Sequence, residues 1–289
     1  LLIRITSIRT VVAGVVDTVA IAVIITGITD AVTVGIAVDN TIHYIFRFRR
    51  EFAWLGTITS PTRDLDVYLL KFGNYQQQLP EEMRADLEPL REFLIRHQRE
   101  EQALLARQLA GARYRKLKRS WRRYLESPLP QRPGARDARK PILEVARRRT
   151  WRMYRRVLKE GQAITDASPA TDLHELRKSC KKLRYLMEFF QTLYPDKQIK
   201  RAIQELKQLQ DNLGDFQDLD VQTHTLRHFS ELMQKEDHAS PGTLNAMDTL
   251  MQGLESDMQG VRADFHARFE RFATEHNQAR FRALFHPPE

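Results

Sequence analysis

The sequence predicts an all-α protein made of two antiparallel helical bundles related by pseudo-twofold symmetry. Three observations predict it. Gly and Pro are scarce, 12 of each in 289 residues, while long stretches of Ala, Leu, Glu, Lys, Arg and Gln carry helical spacing. Apolar residues alternate at three- and four-residue intervals, most clearly at Leu173, Leu176, Cys180, Leu183, Met187 and Phe190, which is the seam of a helix packed in a bundle. A motif also recurs, as duplication would leave it. Trp54-Leu55-Gly56 followed by Arg63-Asp64-Leu65-Asp66-Val67 returns as Asn212-Leu213-Gly214 followed by Gln217-Asp218-Leu219-Asp220-Val221.

Residues 1–51 stand apart from the rest. Residues 10–46 hold no Lys or Arg and are dominated by Val, Ile, Ala and Thr, with Asp17, Asp30 and Asp39 as their only charges. Two spans of about eighteen residues fit, Thr10–Gly27 and Thr29–Phe46, at the lower end of transmembrane helix length. Arg4 and Arg9 precede the pair and Arg47, Arg49 and Arg50 follow it, which would put both ends on the cytoplasmic side of a membrane. A buried hairpin or a pair of strands is the alternative, because aspartates inside a span are costly. The apolar region is too long for a cleavable signal peptide.

From residue 52 to about 285 the composition is that of a soluble helical domain. Helices are expected at about 64–79, 81–110, 112–126, 140–165, 170–194, 197–213, 218–236 and 242–276. Pro128–Pro133 with Gly134 reads as the main loop, and Ser168-Pro169, Tyr194-Pro195 and Ser240-Pro241 mark further boundaries. Gly56 and Gly214 read as helix ends. Asp64 and Asp218 then read as caps of the helices that follow, a reading favoured over metal ligation by the Asp64/Asp66 and Asp218/Asp220 pairs.

Charge is concentrated in one segment. The net charge is +9, yet residues 107–160 alone carry 19 Lys and Arg against 4 Asp and Glu. Such a local surplus implies an anionic partner: nucleic acid, acidic lipid or polyphosphate. The single cysteine, Cys180, excludes an intramolecular disulfide and a multi-cysteine metal site. It lies on the apolar seam as a core residue, and the natural setting is a reducing, cytoplasmic one.

Three helices place a cationic row beside an apolar seam. In the first, His174, Arg177, Lys178, Lys181 and Lys182 share one face, with Arg184 at its edge. In the second, Arg115, Lys118, Arg119 and Arg122 accompany Tyr114, Leu117, Trp121 and Tyr124, with Arg123 beside them and Arg113 and Lys116 at the margin. In the third, Arg148, Arg152, Arg155 and Lys159 accompany Met153, Tyr154 and Val157. Like charges at these spacings repel one another, and a bound polyanion would relieve that repulsion. Rows turned into one groove would suit repeating phosphates. A nucleic-acid reading uses the same cations with Tyr114, Trp121, Trp151 and Tyr154 as stacking platforms. His174 suits a neutral donor or a pH-sensitive contact. There is no Gly-rich phosphate loop, His-Glu-x-x-His or nucleophile elbow, so non-catalytic binding without metal or cofactor is expected.

The run Asp172-Leu173-His174-Glu175-Leu176-Arg177-Lys178-Ser179-Cys180-Lys181-Lys182-Leu183-Arg184-Tyr185-Leu186-Met187-Glu188-Phe189-Phe190 resembles the signature of CHAD domains, the conserved histidine α-helical domains. The resemblance continues through Leu206-Lys207-Gln208-Leu209-Gln210-Asp211-Asn212-Leu213-Gly214 and the earlier Trp54 and Arg63 motif, and covers about 52–285. It implies two four-helix bundles around a basic cavity that binds inorganic polyphosphate. His174, Arg177, Lys178, Lys181, Lys182 and Arg184 are the matched anion-contacting positions. The family usually opens with a helix bearing its own His/Arg-rich motif, which this sequence lacks. In that place Val34-Gly35-Ile36-Ala37-Val38-Asp39-Asn40-Thr41-Ile42-His43-Tyr44-Ile45-Phe46-Arg47-Phe48-Arg49-Arg50-Glu51-Phe52 resembles a transmembrane end of the resistance-nodulation-division exporter superfamily. About fifty residues cannot form such a transporter, which needs many more membrane spans. A fragment or fused reading frame is therefore expected at 1–51, and Asp39 inherits no transport role.

Overall fold

Apolar seams at three- and four-residue spacing set the architecture. The computed structural model describes residues 39–126 and 140–287. Among them are eight α-helices and no strand: α1 Asp39–Gln78, α2 Glu88–Leu109, α3 Ala112–Glu126, α4 Ile142–Gln162, α5 Ala170–Phe189, α6 Asp196–Lys235, α7 Pro241–Phe272 and α8 Glu275–Phe285. Two separate cores confirm the two bundles. One joins Tyr154 and Val157 of α4, Leu173 to Met187 of α5, Leu206 to Phe216 of α6, Phe265 to Phe272 of α7, and Phe281 and Phe285 of α8. The other joins Leu65 to Tyr75 of α1, Leu90 to Leu94 of α2, Leu226 and Met233 of α6, and Met247 to Leu254 of α7. The long helices α6 and α7 thus run through both bundles, each giving one half to either core.

The repeated motif proves to lie inside helices. Gly56 and Gly214 end nothing, and Asp64 and Asp218 cap nothing: each motif sits in the middle of a 40-residue helix. Neither glycine takes a positive φ. Their intrinsic cost in a helix, about 1 kcal/mol each, is outweighed because the seam continues past them. In α6 it runs Leu209, Leu213, Phe216, Thr223 and Leu226, and in α1 it runs Leu55, Thr62, Leu65, Tyr68 and Phe72, all buried. α1 also absorbs Pro61. Around it the hydroxyls of Thr57, Thr59 and Ser60 donate to the carbonyls of Ala53, Leu55 and Gly56 at 3.0, 3.0 and 2.9 Å, a back-bonding that Ser and Thr use inside helices.

Other boundaries moved for local reasons. α2 starts at Glu88 because Pro89 suits the first helical turn, and short 3-10 turns occupy Glu81–Met83 and Ala85–Leu87. The helix expected at 242–276 is split, since Thr274 accepts from the Asn277 backbone amide at 3.3 Å and caps α8. α5 ends at Phe189, short of the expected 194. The expected spans Thr10–Gly27 and most of Thr29–Phe46 fall outside the described residues. From Asp39 the second span is already α1, which passes the composition change at 51/52 without a break. Among the described residues no helix is long and apolar enough to cross a membrane.

One contact fixes the corner from which α5 springs. Arg262 of α7 donates to the carbonyls of Thr165, Asp166 and Ser168 in the loop before α5, at 3.4 and 2.9 Å for the first two. Arg262→Ala removes these charge-assisted bonds, each worth about 1.5–3 kcal/mol at most. It should lower Tm by roughly 3–8 °C and speed amide exchange over 165–172. Unchanged exchange there would show that the clamp is idle.

Candidate polyanion-binding site

The seam of α5 turns inward as its spacing requires: Leu173, Leu176, Cys180, Leu183, Met187 and Phe190 are all buried. Burial pushes the Cys180 thiol far up, so it stays a protonated core residue. The cationic row beside this seam is pulled partly under cover. His174, Arg177, Lys181, Lys182 and Arg184 are half-buried, while Lys178 is exposed and pairs with Glu175 at 2.6 Å. Burial holds the Lys181 ammonium below its ordinary value, and Arg177, Arg184 and Arg63 of α1 push the same way. Only Asp218 of α6 acts against them. Arg177, Lys181 and Arg184 therefore share one face of α5 at the junction with α1 and α6, where Lys181 feels the charge of Arg63, itself 3.6 Å from Asp64. Arg184 also lies 3.6 Å from Glu188 and 5.4 Å over the Tyr185 ring.

The floor of this junction comes from α6. Gln217 faces His174, its Oε1 against Nδ1 of the ring. Burial, then Lys178, lowers the His174 pKa, Arg177 adds to that, and Glu175 and Asp220 oppose it. α1 and α6 are tied here by Tyr68, whose hydroxyl lies 3.5 Å from the Val221 carbonyl, and by Tyr75, which donates to Gln222 Oε1 at 2.9 Å. The second member of the repeat thus supplies Gln217, Asp218 and Asp220, and the first supplies Arg63. Sequence reasoning reads Asp218 and Asp220 as capping residues and gives Arg63 and Gln217 no site role; the repeat that contains all four was the signal.

The other two rows lie elsewhere on the same framework. α3 packs on the first part of α1 through Trp121, whose ring centroid is 4.9 Å from Phe48 and 5.1 Å from Phe52. Arg113 reinforces the pair, donating to Glu51 at 2.9 Å and lying 4.2 Å from the Trp54 ring. Arg115, Lys118, Arg119 and Arg122 are exposed. Arg115 turns back to the Ala110 carbonyl at 2.8 Å, and Lys118 sits 5.6 Å over Tyr114. From Phe48 and Phe52 to Arg63 is roughly 16–22 Å along the α1 axis. The α3 row is thus a second cationic surface along the same helix.

On α4, Arg152, Arg155 and Lys159 are exposed and Arg148 is half-buried, 3.9 Å from Glu144. Arg156 pairs with Glu160 at 2.6 Å and also feels Glu175 of α5. With Arg147 and Arg149 it is one of three α4 arginines that the sequence reading left out. The aromatics proposed as stacking platforms are mostly committed: Tyr154 is buried and stacks on Phe281 at 4.1 Å, Trp151 meets His286 edge-on at 5.2 Å, and Trp121 is held by Phe48 and Phe52. Among the described residues no group of three or more His, Cys, Asp or Glu could hold a metal ion.

The family model described as CHAD domain matches residues 46–227, well over half of the chain. The chain belongs to the CHAD domain family. The CHAD match opens within α1 and closes within α6, so it contains α5, the α1/α5/α6 junction and the α3 and α4 rows. It also reaches into the stretch likened to an exporter, from Phe46 onward. No curated protein matches the chain significantly.

Proposed function

We propose that this CHAD protein binds inorganic polyphosphate, without catalysis, across the junction of α1, α5 and α6. The grouping of Arg177, Lys181 and Arg184 on one face of α5, with Arg63 of α1 felt by Lys181, carries the reading. Four cations from two helices meet there: Arg177, Lys181 and Arg184 are half-buried, and the carboxylates beside them are Asp218 for Lys181, Glu188 at 3.6 Å from Arg184 and Asp64 at 3.6 Å from Arg63. Such an arrangement costs free energy in the unliganded protein and is repaid by a polymer of closely spaced negative charges. Guanidiniums offer forked donors to phosphate oxygens and ammoniums act as point charges, so a chain of identical phosphates needs no sequence readout. His174, Lys178 and Lys182 extend the row, and Arg115, Lys118, Arg119 and Arg122 with Arg148, Arg152, Arg155 and Lys159 provide further surfaces for a long chain.

Calorimetric titration of long-chain polyphosphate into the full chain at several salt concentrations tests this. Four charge contacts should give a slope of log affinity against log salt of roughly −3, by analogy with counterion release from single-stranded nucleic acid. Salt-independent affinity, or no binding, overturns the proposal. A single-stranded RNA that polyphosphate fails to displace would turn the reading toward nucleic acid.

A further inference from the structure

We infer that Gln217 is a positioning residue that fixes the tautomer of His174 and so couples polyanion binding at this junction to the uptake of a proton. The inference rests on the polyphosphate reading and adds a chemical condition to it. His174 stands in the second turn of α5, half-buried, and Gln217 of α6 is buried beneath it. The Gln217 atom against His174 Nδ1 is the amide oxygen, Oε1. With Oε1 so placed, and an amide oxygen able only to accept, Nδ1 is the nitrogen that carries the hydrogen. Neutral imidazole has one N–H in all, and this contact uses it. Nε2 is then left with a lone pair.

A phosphate oxygen is also an acceptor only. Neutral His174, held by Gln217, has no donor for it, whereas the imidazolium has one on each nitrogen. Binding a phosphate at Nε2 therefore draws one proton from solvent onto that atom, and no covalent bond changes. The charged groups facing the ring are Lys178, Glu175 and Arg177 on α5 and Asp220 on α6, with Arg156 of α4 beside Glu175. Burial, Lys178 and Arg177 outweigh the two carboxylates and hold the ring below its ordinary value of 6.5. The unliganded ring is thus mostly neutral at pH 7, and the bound polyanion raises its pKa. Affinity should be greatest below the pKa of the free ring and fall as pH rises through that of the bound ring, by at most about tenfold per pH unit for one proton.

Titrating long-chain polyphosphate into the full chain at pH 7.5, in two buffers of different ionisation enthalpy and at fixed salt, counts the proton. Inner phosphates of a long chain do not titrate in this range, so uptake reports the protein. Uptake approaching one proton is expected, together with weakening of binding between pH 6.5 and 8. Gln217→Met removes the acceptor and frees the tautomer with hydrogen on Nε2. Uptake should then fall below half and affinity at pH 8 should rise above that of the parent chain. Gln217→Glu should act by the other route, holding an imidazolium before ligand arrives, so that uptake vanishes and the pH profile flattens. Binding without uptake, uptake unchanged in Gln217→Met, or uptake that persists in His174→Asn would overturn the inference while leaving polyphosphate binding standing. Absence of binding to the parent chain would overturn both.

Discussion

Converting Arg177 and Lys181 together to Glu is expected to weaken binding of long-chain polyphosphate by on the order of 100-fold or more, since each reversal removes a charge-assisted contact and adds a repulsion. Helix content should not change, because both side chains lie beside the buried seam and not in it. Lys181→Met separates function from folding more sharply. The folded-state pKa of Lys181 lies below its ordinary 10.5, through burial first and its cationic neighbours second. A depressed lysine pKa means that the fold disfavours the charge. That penalty is fully present below the folded-state pKa and is relieved as pH rises toward the ordinary value. At neutral pH the methionine variant should therefore be as stable as the parent or slightly more so, the gain being small because half-burial leaves solvent screening. It should nevertheless bind polyphosphate at least several-fold more weakly. Stability and affinity moving in opposite directions would mark Lys181 as a residue kept for binding. A variant that loses stability and keeps its affinity would place the ligand elsewhere.

What could be read from the sequence follows from how local the governing interactions are. The α5 seam and its cationic row were legible because both are periodic along one helix, and every seam residue from Leu173 to Phe190 is buried as its spacing requires. The same holds for Tyr154 and Val157 on α4. The two 40-residue helices were not legible as single elements. Gly56 and Gly214 gave strong local signals to stop, whereas the force that carries α1 and α6 onward is burial of one seam in two successive cores, which no local window contains. For that reason Asp64, Asp218 and their partners Asp66 and Asp220 read as helix starts, and Arg63 and Gln217 passed as loop residues. Their role at the junction comes from the way α1 and α6 lie against each other, tied by Tyr68 and Tyr75. The relative placement of the three cationic rows has the same origin. α3 is held to the first part of α1 by Trp121 and Arg113, a long-range pairing that its own periodicity does not reveal.

Gly161→Ala should lower Tm by roughly 4–8 °C, although alanine is the better helix former. Gly161 lies buried in the last turn of α4, where the ring of Phe269 from α7 covers the backbone. A Cβ at this position would sit 2.0 Å from Phe269 Cε2 and 2.5 Å from Cδ2. Phe269 has little room to yield, being itself in the core and stacked on Phe265 at a centroid distance of 5.9 Å. Overpacking of this kind costs about 3 kcal/mol or more, and the helix propensity of alanine returns at most about 1 kcal/mol. The net loss of about 2 kcal/mol corresponds to the expected fall in Tm. Phe269→Leu in the same chain should recover part of it, because the smaller side chain vacates the space that the new methyl needs. An unchanged Tm in Gly161→Ala would mean that ring and glycine are not in contact. Phe269 follows Arg262 by two helical turns on α7, so the ring over Gly161 and the clamp on the 165–168 carbonyls secure the same corner beneath α5. Gly161→Ala and Arg262→Ala should accordingly combine less than additively in stability, since either one loosens the corner that the other also holds.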